Sequence, residues 1–150
     1  MDAMLKVEGI NVYYGAIHAI KDVSFQVNEG EVVTLIGANG AGKSTILKTI
    51  AGLLTSHTGS IEFLGQRLGG TPAHKIITKG LALVPEGRQI FLQMSVEENL
   101  EMGAFTRPSS EFDDGIADVY QRFPRLKERR TLLHGTNLLC LSTRQDKPVQ

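Results

Sequence analysis

The most constraining feature of this chain is residues 37–44, which read Gly-Ala-Asn-Gly-Ala-Gly-Lys-Ser and fit the spacing G-x-x-x-x-G-K-[ST]. The three glycines allow the backbone to curl and to turn its N–H groups inward without Cβ clashes. A largely apolar run, residues 32–36, precedes the loop, and apolar side chains at helical spacing follow over residues 43–54. A buried strand, a glycine-rich loop and a helix N-terminus in this order are typical of a phosphate-binding loop.

Each residue type in this loop suits a bound triphosphate. Lys43 is expected to reach the β- and γ-phosphates as a point charge, and the Ser44 hydroxyl is expected to bind Mg²⁺. The alternative interpretation is a glycine-rich turn between a strand and a helix that carries an exposed lysine. On the first interpretation, the residues that contact the nucleotide are Gly37, Asn39, Gly40, Ala41, Gly42, Lys43, Ser44 and Thr45.

Composition excludes several other classes of protein. Sixteen basic and sixteen acidic residues give a formal net charge of zero, which argues against a nucleic-acid binder that depends on charge. The single cysteine, Cys140, cannot form an internal disulfide, and the four histidines show no metal-ligand spacing. No apolar run approaches the roughly 20 residues that span a bilayer, and residues 1–6 do not resemble a secretory signal.

Local patterns predict a mixed α/β chain. Strands are expected over residues 5–13, 17–27 and 60–63, and buried strands over residues 32–36 and 81–84. Ser95 and Glu98 match a capping box that opens a helix running to about Phe105. A later helix is expected to end near Phe123, because Pro124 disfavours helical conformation in the residue before it.

Several segments together resemble the ATP-binding subunits of ABC transporters, and the resemblance covers about residues 4–130. They are Tyr13-Tyr14-Gly15, Gly-Glu-Val at 30–32, the loop at 36–45, Ala-Gly-Leu at 51–53, Thr-Gly-Ser-Ile at 58–61 and Ser-Val-Glu-Glu-Asn-Leu at 95–100. The resemblance implies an α/β P-loop NTPase fold of the ABC ATPase type. It would comprise an N-terminal antiparallel β section, an incomplete RecA-like parallel sheet and the start of a helical subdomain.

The resemblance also implies roles for two residues outside the loop. Tyr14 occupies the position of the aromatic side chain that stacks on adenine; the alternative is a strand-end aromatic in the core. Glu86 occupies the position of a glutamine that contacts Mg²⁺ and the attacking water; the alternative is a solvated loop carboxylate. The surrounding Val-Pro-Glu-Gly-Arg-Gln-Ile-Phe, residues 84–91, is similar to the LivF-type ATPases of branched-chain amino acid importers.

The resemblance stops abruptly after residue 136. We expect residues 1–136 to be the N-terminal part of an ABC ATP-binding domain, and residues 137–150 to be an unmatched, disordered tail. The family's signature motif, the strand ending in Asp-Glu and the switch histidine have no counterpart in the sequence. We therefore expect a truncated chain with no complete catalytic set, which does not hydrolyse ATP on its own.

The function that the resemblance implies is that of an ATP-binding subunit of an importer for branched-chain amino acids. Its cofactors would be ATP and Mg²⁺. Its partners would be membrane-spanning permease subunits and a second ATP-binding subunit, with no nucleic acid, at the cytoplasmic face of the plasma membrane. The alternatives are an ATPase of another ABC importer and a non-hydrolysing ATP-binding or inactive fragment.

Overall fold

The computed structural model describes residues 3–87 and 89–132, and the chain divides into two compact units. The first unit ends at Leu83 and the second begins at Val84. The predicted tail at residues 137–150 lies outside the described residues.

The first unit is built on one antiparallel sheet of four strands in the order β2-β1-β3-β4. The strands are β1 (Leu5–Tyr14), β2 (Ile17–Val27), β3 (Thr58–Phe63) and β4 (Gln66–Arg67). Two helices belong to the same unit, α1 (Lys43–Ile50) and α2 (Ala73–Ile77). The antiparallel N-terminal section predicted from the sequence is therefore confirmed.

The core of this unit lies against the central strand β1. Val7 pairs with Phe25 of β2 on one side and with Ile61 of β3 on the other. Ile46 and Ile50, one helical turn apart on α1, add a second buried layer. The buried apolar side chains that form its main cluster are Val7, Ile10, Val12, Ile20, Ile46, Ile50, Ile61, Phe63, Leu68 and Ile76.

Two predicted strands are not strands in the structure. Residues 32–36 and 81–84 belong to no sheet among the described residues. Val32 and Ile36 are 91% and 92% exposed, whereas Leu35 and Leu81 pack against the core. The apolar pattern marks a segment suited to a buried strand, but a ladder also needs a neighbouring strand to pair with its backbone groups.

The second unit is helical. It contains α3 (Val96–Gly103), a 3₁₀ turn (Ser109–Glu111), α4 (Phe112–Arg122) and α5 (Pro124–Glu128). The helix predicted to end near Phe123 ends at Arg122, and Pro124 opens the next helix, where its missing N–H costs nothing. Within the described part of the chain, no helix combines the length and apolar character needed to cross a membrane.

The predicted capping box forms at the start of α3. The Glu98 backbone N–H donates to Ser95 Oγ at 3.2 Å, and the Ser95 N–H donates to Glu98 Oε2 at 2.7 Å. Two further N–H groups of the first turn also have partners. The Val96 N–H donates to the Leu132 carbonyl at 3.3 Å, and the Glu97 N–H donates to the Arg130 carbonyl at 3.1 Å. The helix ends at Gly103, slightly before the predicted limit at Phe105.

Buried Asn99 fixes the segment before α3. Its Nδ2 donates to the carbonyls of Phe91, Met94 and Ser95 at 3.1, 3.3 and 2.9 Å. Its Oδ1 accepts the Phe91 N–H at 2.9 Å. Because one side chain satisfies four backbone groups, residues 91–95 are held in a defined conformation just before the N-terminus of α3.

The capping box predicts a pH-dependent contribution to stability. The hydrogen bond from the Ser95 backbone N–H, followed by that from the Ser95 hydroxyl, lowers the pKa of Glu98 from its ordinary value of 4.5. A carboxyl whose pKa is lower in the folded state stabilises the fold above its ordinary pKa, and this contribution is lost as the pH falls through the folded value. Urea unfolding followed by helical circular dichroism between about pH 6 and about pH 3 should show a smaller acid-induced loss in Glu98→Gln than in wild type.

Glu101→Gln, which removes an exposed carboxylate from the same helix, is the matched control and should follow the wild-type pH dependence. An unchanged acid-induced loss in Glu98→Gln would contradict a stabilising role for the ionised cap.

Candidate functional site

The glycine-rich loop packs directly on the sheet of the first unit. Gly40 and Gly42 have φ values of 84° and 88°, in the left-handed region where glycine has no Cβ penalty. Gly42 is the N-cap of α1, and a Cβ at this position would overlap Cδ1 of Ile20. Since Ile20 of β2 is 3% exposed, the start of α1 is seated on a fixed part of the core.

Lys43 lies inside the curl of the loop. The Ala41 N–H donates to the Ala38 carbonyl at 3.1 Å and closes a tight turn. The Lys43 ammonium donates to the carbonyls of Gly37 and Ala38, both at 2.8 Å. The Lys43 side chain is thus half-buried, and its ammonium group lies against the backbone of residues 37–38, where it can pair with a phosphate oxygen.

The helix that follows adds to this positive potential. The first intrahelical bond runs from the Ile46 N–H to the Gly42 carbonyl at 2.9 Å. The N–H groups of the first turn therefore lie N-terminal to the intrahelical ladder and point toward the loop, and the helix dipole has its positive end there. Lysine and dipole act in the same direction, so this end of α1 suits an anion.

Tyr14 lies beside the first turn of α1. Its hydroxyl is 3.4 Å from Thr45 Oγ1, and its side chain is 45% exposed at the end of β1. The structure therefore brings Tyr14 together with the phosphate-loop residues, and does not bury it in the core as the alternative interpretation required. Its aromatic face is available to a flat base, although stacking itself stays a prediction.

Ser44 and Glu86 were predicted to bind Mg²⁺. Ser44 is exposed on the first turn of α1, next to Lys43, and its hydroxyl is the hard oxygen ligand that Mg²⁺ prefers. Glu86 lies in an exposed turn of the second unit, and its role stays a prediction. In residues 3–87 and 89–132, no three His, Cys, Asp or Glu side chains are grouped to hold a metal ion. The residues present fit a magnesium ion that is bound mainly by phosphate oxygens and water.

The sequence interpretation missed one cluster close to Tyr14. Two histidines that look scattered along the chain, His18 and His57, both contact the ring of Tyr13. The sequence signal that could have revealed this cluster is the short gap between the two predicted strands. Residues 15–16 form a two-residue hairpin connection between β1 and β2. Such a connection sets the pairing of Tyr14 with Ile17 and of Tyr13 with His18.

Comparison with known proteins identifies the family. A sequence model described as ABC transporter matches residues 20–147. The chain belongs to the ABC transporter family. The match to the family model ends at residue 147 and so includes part of residues 137–150. The domain boundary at residue 136 stays a prediction.

Two curated relatives carry names that refer to branched-chain amino acid transport. One is the high-affinity branched-chain amino acid transport ATP-binding protein BraG of Pseudomonas aeruginosa, 47% identical over 133 residues, with 89% of this chain and 57% of that protein covered. The other is the probable branched-chain amino acid transport ATP-binding protein LivF of Archaeoglobus fulgidus, 34% identical over 124 residues, with 83% and 52% covered. This ABC family member therefore spans little more than half the length of these relatives.

A solved structure supports the fold. The structure of an ATP binding subunit of an ABC transporter matches at a TM-score of 0.71 and 31% identity, covering 87% of this chain and 54% of the other. The predicted fold class, a P-loop NTPase of the ABC ATPase type present in part, is confirmed. Proteins of this family bind ATP, generally with Mg²⁺.

The glycines of the loop predict different costs of substitution. Gly40→Ala places a Cβ in open space and should cost about 1 to 2 kcal/mol of stability for the left-handed backbone alone. Gly42→Ala has the same backbone penalty and also overlaps buried Ile20, which should add about 1 to 3 kcal/mol. Urea unfolding of the two variants measures the difference. Equal destabilisation would show that the loop is not seated on β2 through Gly42.

Proposed function

We propose that this chain is an ATP-binding subunit of an ABC importer for branched-chain amino acids, and that ATP binding at residues 37–45 is its part in transport. The observation that carries the proposal is the Lys43 ammonium, held by two loop carbonyls at the positive end of α1. A triphosphate in this curl would exchange those carbonyls for charged oxygens, which are stronger partners for an ammonium group.

Each part of the nucleotide has a proposed partner. The loop backbone binds the phosphates through its N–H groups, Lys43 supplies the charge, and Tyr14 stacks on the adenine. Mg²⁺ would be held by the Ser44 hydroxyl, directly or through water, and would offset charge on the phosphates. The Mg²⁺ role proposed for Glu86 rests on the resemblance alone. The proposed nucleotide contacts are Tyr14, Gly37, Asn39, Gly40, Ala41, Gly42, Lys43, Ser44 and Thr45.

The cargo and the partners are proposed from the two relatives, whose names refer to branched-chain amino acid transport. The partners would be the membrane-spanning permease subunits of such an importer, at the cytoplasmic face of the membrane, and a second ATP-binding subunit.

In the second unit, Phe91 and Leu92 are 55% and 58% exposed in the segment that Asn99 fixes. Exposed apolar side chains on a held segment suit contact with another protein.

Calorimetric titration of the full chain with MgATP tests the binding proposal. Lys43→Ala should weaken ATP binding about tenfold to a hundredfold, since a charge-assisted hydrogen bond contributes about 1.5 to 3 kcal/mol. Lys48→Ala, which removes an exposed lysine from the last turn of the same helix, should leave the affinity unchanged. Equal affinities for Lys43→Ala and wild type, or no binding to a folded wild type, would overturn the proposal.

Co-purification with permease subunits tests the transport assignment. The chain should be recovered with the permease pair of a branched-chain amino acid importer and not with that of a sugar importer. Leu92→Asp should reduce recovery several-fold, because it places a charge on the apolar contact surface. Leu53→Asp is the matched control, since Leu53 is also 58% exposed but belongs to the first unit. Equal recovery with both permease pairs would contradict the proposed cargo.

A further inference from the structure

One face of the β1–β2 hairpin end carries a ring cluster that the proposed site does not use. We call Tyr13, His18 and His57 the Tyr13 stack. The rings of Tyr13 and His18 are stacked, with centroids 4.1 Å apart and planes 10° apart. His57 meets Tyr13 edge-on, with centroids 5.0 Å apart and planes 67° apart. Both arrangements are attractive for aromatic rings, so Tyr13 is held from two directions.

Hydrogen bonds anchor the stack to three strands. Asn11 Oδ1 accepts the Asp22 N–H at 3.1 Å and lies 2.8 Å from His18 Nε2, which is therefore assigned as a donor. Asn11 Nδ2 donates to Thr58 Oγ1 at 2.8 Å, which links the same side chain to β3. The His57 N–H donates to the Asn11 carbonyl, also at 2.8 Å. The His18 ring that stacks on Tyr13 is thus fixed to the sheet through Asn11.

Tyr14 points away from this stack. Consecutive residues of a strand place their side chains on opposite faces, and Tyr13 and Tyr14 pair with His18 and Ile17 without a register shift between them. Tyr13 therefore occupies the stack while Tyr14 reaches Thr45 on α1. Since the two residues share a peptide bond, anchoring the Tyr13 ring also limits the rotation of the hairpin end that carries Tyr14.

We infer that His18, by stacking on Tyr13, is a positioning residue for the adenine base: it holds Tyr14 at the distance from α1 at which a bound nucleotide can have its phosphates in the loop and its base on the tyrosine ring. The inference rests on the proposed ATP binding. It has a specific consequence, because a positioning effect through Tyr14 acts on the base and leaves the triphosphate contacts intact.

The sequence offers a clean reporter for this effect. The chain contains no tryptophan, so Tyr14→Trp introduces a single indole at the stacking position. Base stacking should quench its fluorescence when ATP binds, whereas inorganic tripolyphosphate should bind the loop without quenching. Adding His18→Ala should raise the Kd for ATP about threefold to tenfold, since a misplaced ring loses part of its stacking on the base. The Kd for tripolyphosphate, measured by calorimetric titration because this ligand does not quench the indole, should stay within about twofold in the same variant.

Two further substitutions identify the part of His18 that matters. His18→Phe keeps a ring on Tyr13 but cannot donate to Asn11, and it should restore most of the ATP affinity. His18→Gln keeps a donor for Asn11 without a ring, and it should behave like His18→Ala. His74→Ala, which removes an exposed histidine from α2 of the same unit, is the matched control and should change neither affinity.

The outcomes separate this inference from the proposed function. An unchanged ATP affinity in His18→Ala, with tripolyphosphate still bound, would overturn the positioning role and leave the nucleotide site standing. An equal loss of both ligands would also overturn it, because the effect would then be a general loss of folding. Failure of the parent Tyr14→Trp chain and of wild type to bind either ligand would overturn the proposed function itself.

Discussion

The candidate site depends on the contact between Gly42 and Ile20. At this point a residue with positive φ ends the loop, caps α1 and rests on a buried side chain of β2. Glycine is required there because a Cβ would disfavour the left-handed backbone and would also overlap Ile20. Because Ile46 and Ile50 of α1 pack into the same core, the helix direction and the loop position are fixed together.

The same packing explains why an aromatic side chain and a phosphate loop meet. Tyr14 ends β1, the central strand, and Thr45 lies in the first turn of the helix that covers the sheet. The Tyr14–Thr45 contact thus places an exposed ring beside the first turn of α1, the turn that also carries the Lys43 ammonium group. A ligand that joins a flat base to a chain of phosphates matches this arrangement, whereas a free phosphate would use only part of it.

Features that depend on local chemistry could be predicted from the sequence. The capping box at Ser95, the helix break at Pro124 and the loop around Lys43 each follow from the residue types in one short segment. Features that depend on contacts between separate segments of the chain could not be predicted from the sequence. Residues 32–36 have the composition of a buried strand, but composition does not supply the neighbour that a ladder needs. The stacking of His18 on Tyr13 follows from strand register, and β1 and β2 contain register shifts that no simple alternation anticipates.

The division of the chain into units also divides the proposed chemistry. The loop, Tyr14 and the Tyr13 stack all belong to the first unit, whereas Glu86 and the segment held by Asn99 belong to the second. The proposed base and phosphate binding therefore rests on contacts within one unit and does not depend on the role proposed for Glu86. For this reason nucleotide affinity, measured with variants of the first unit, and partner binding, measured with variants of the second, report on different proposals.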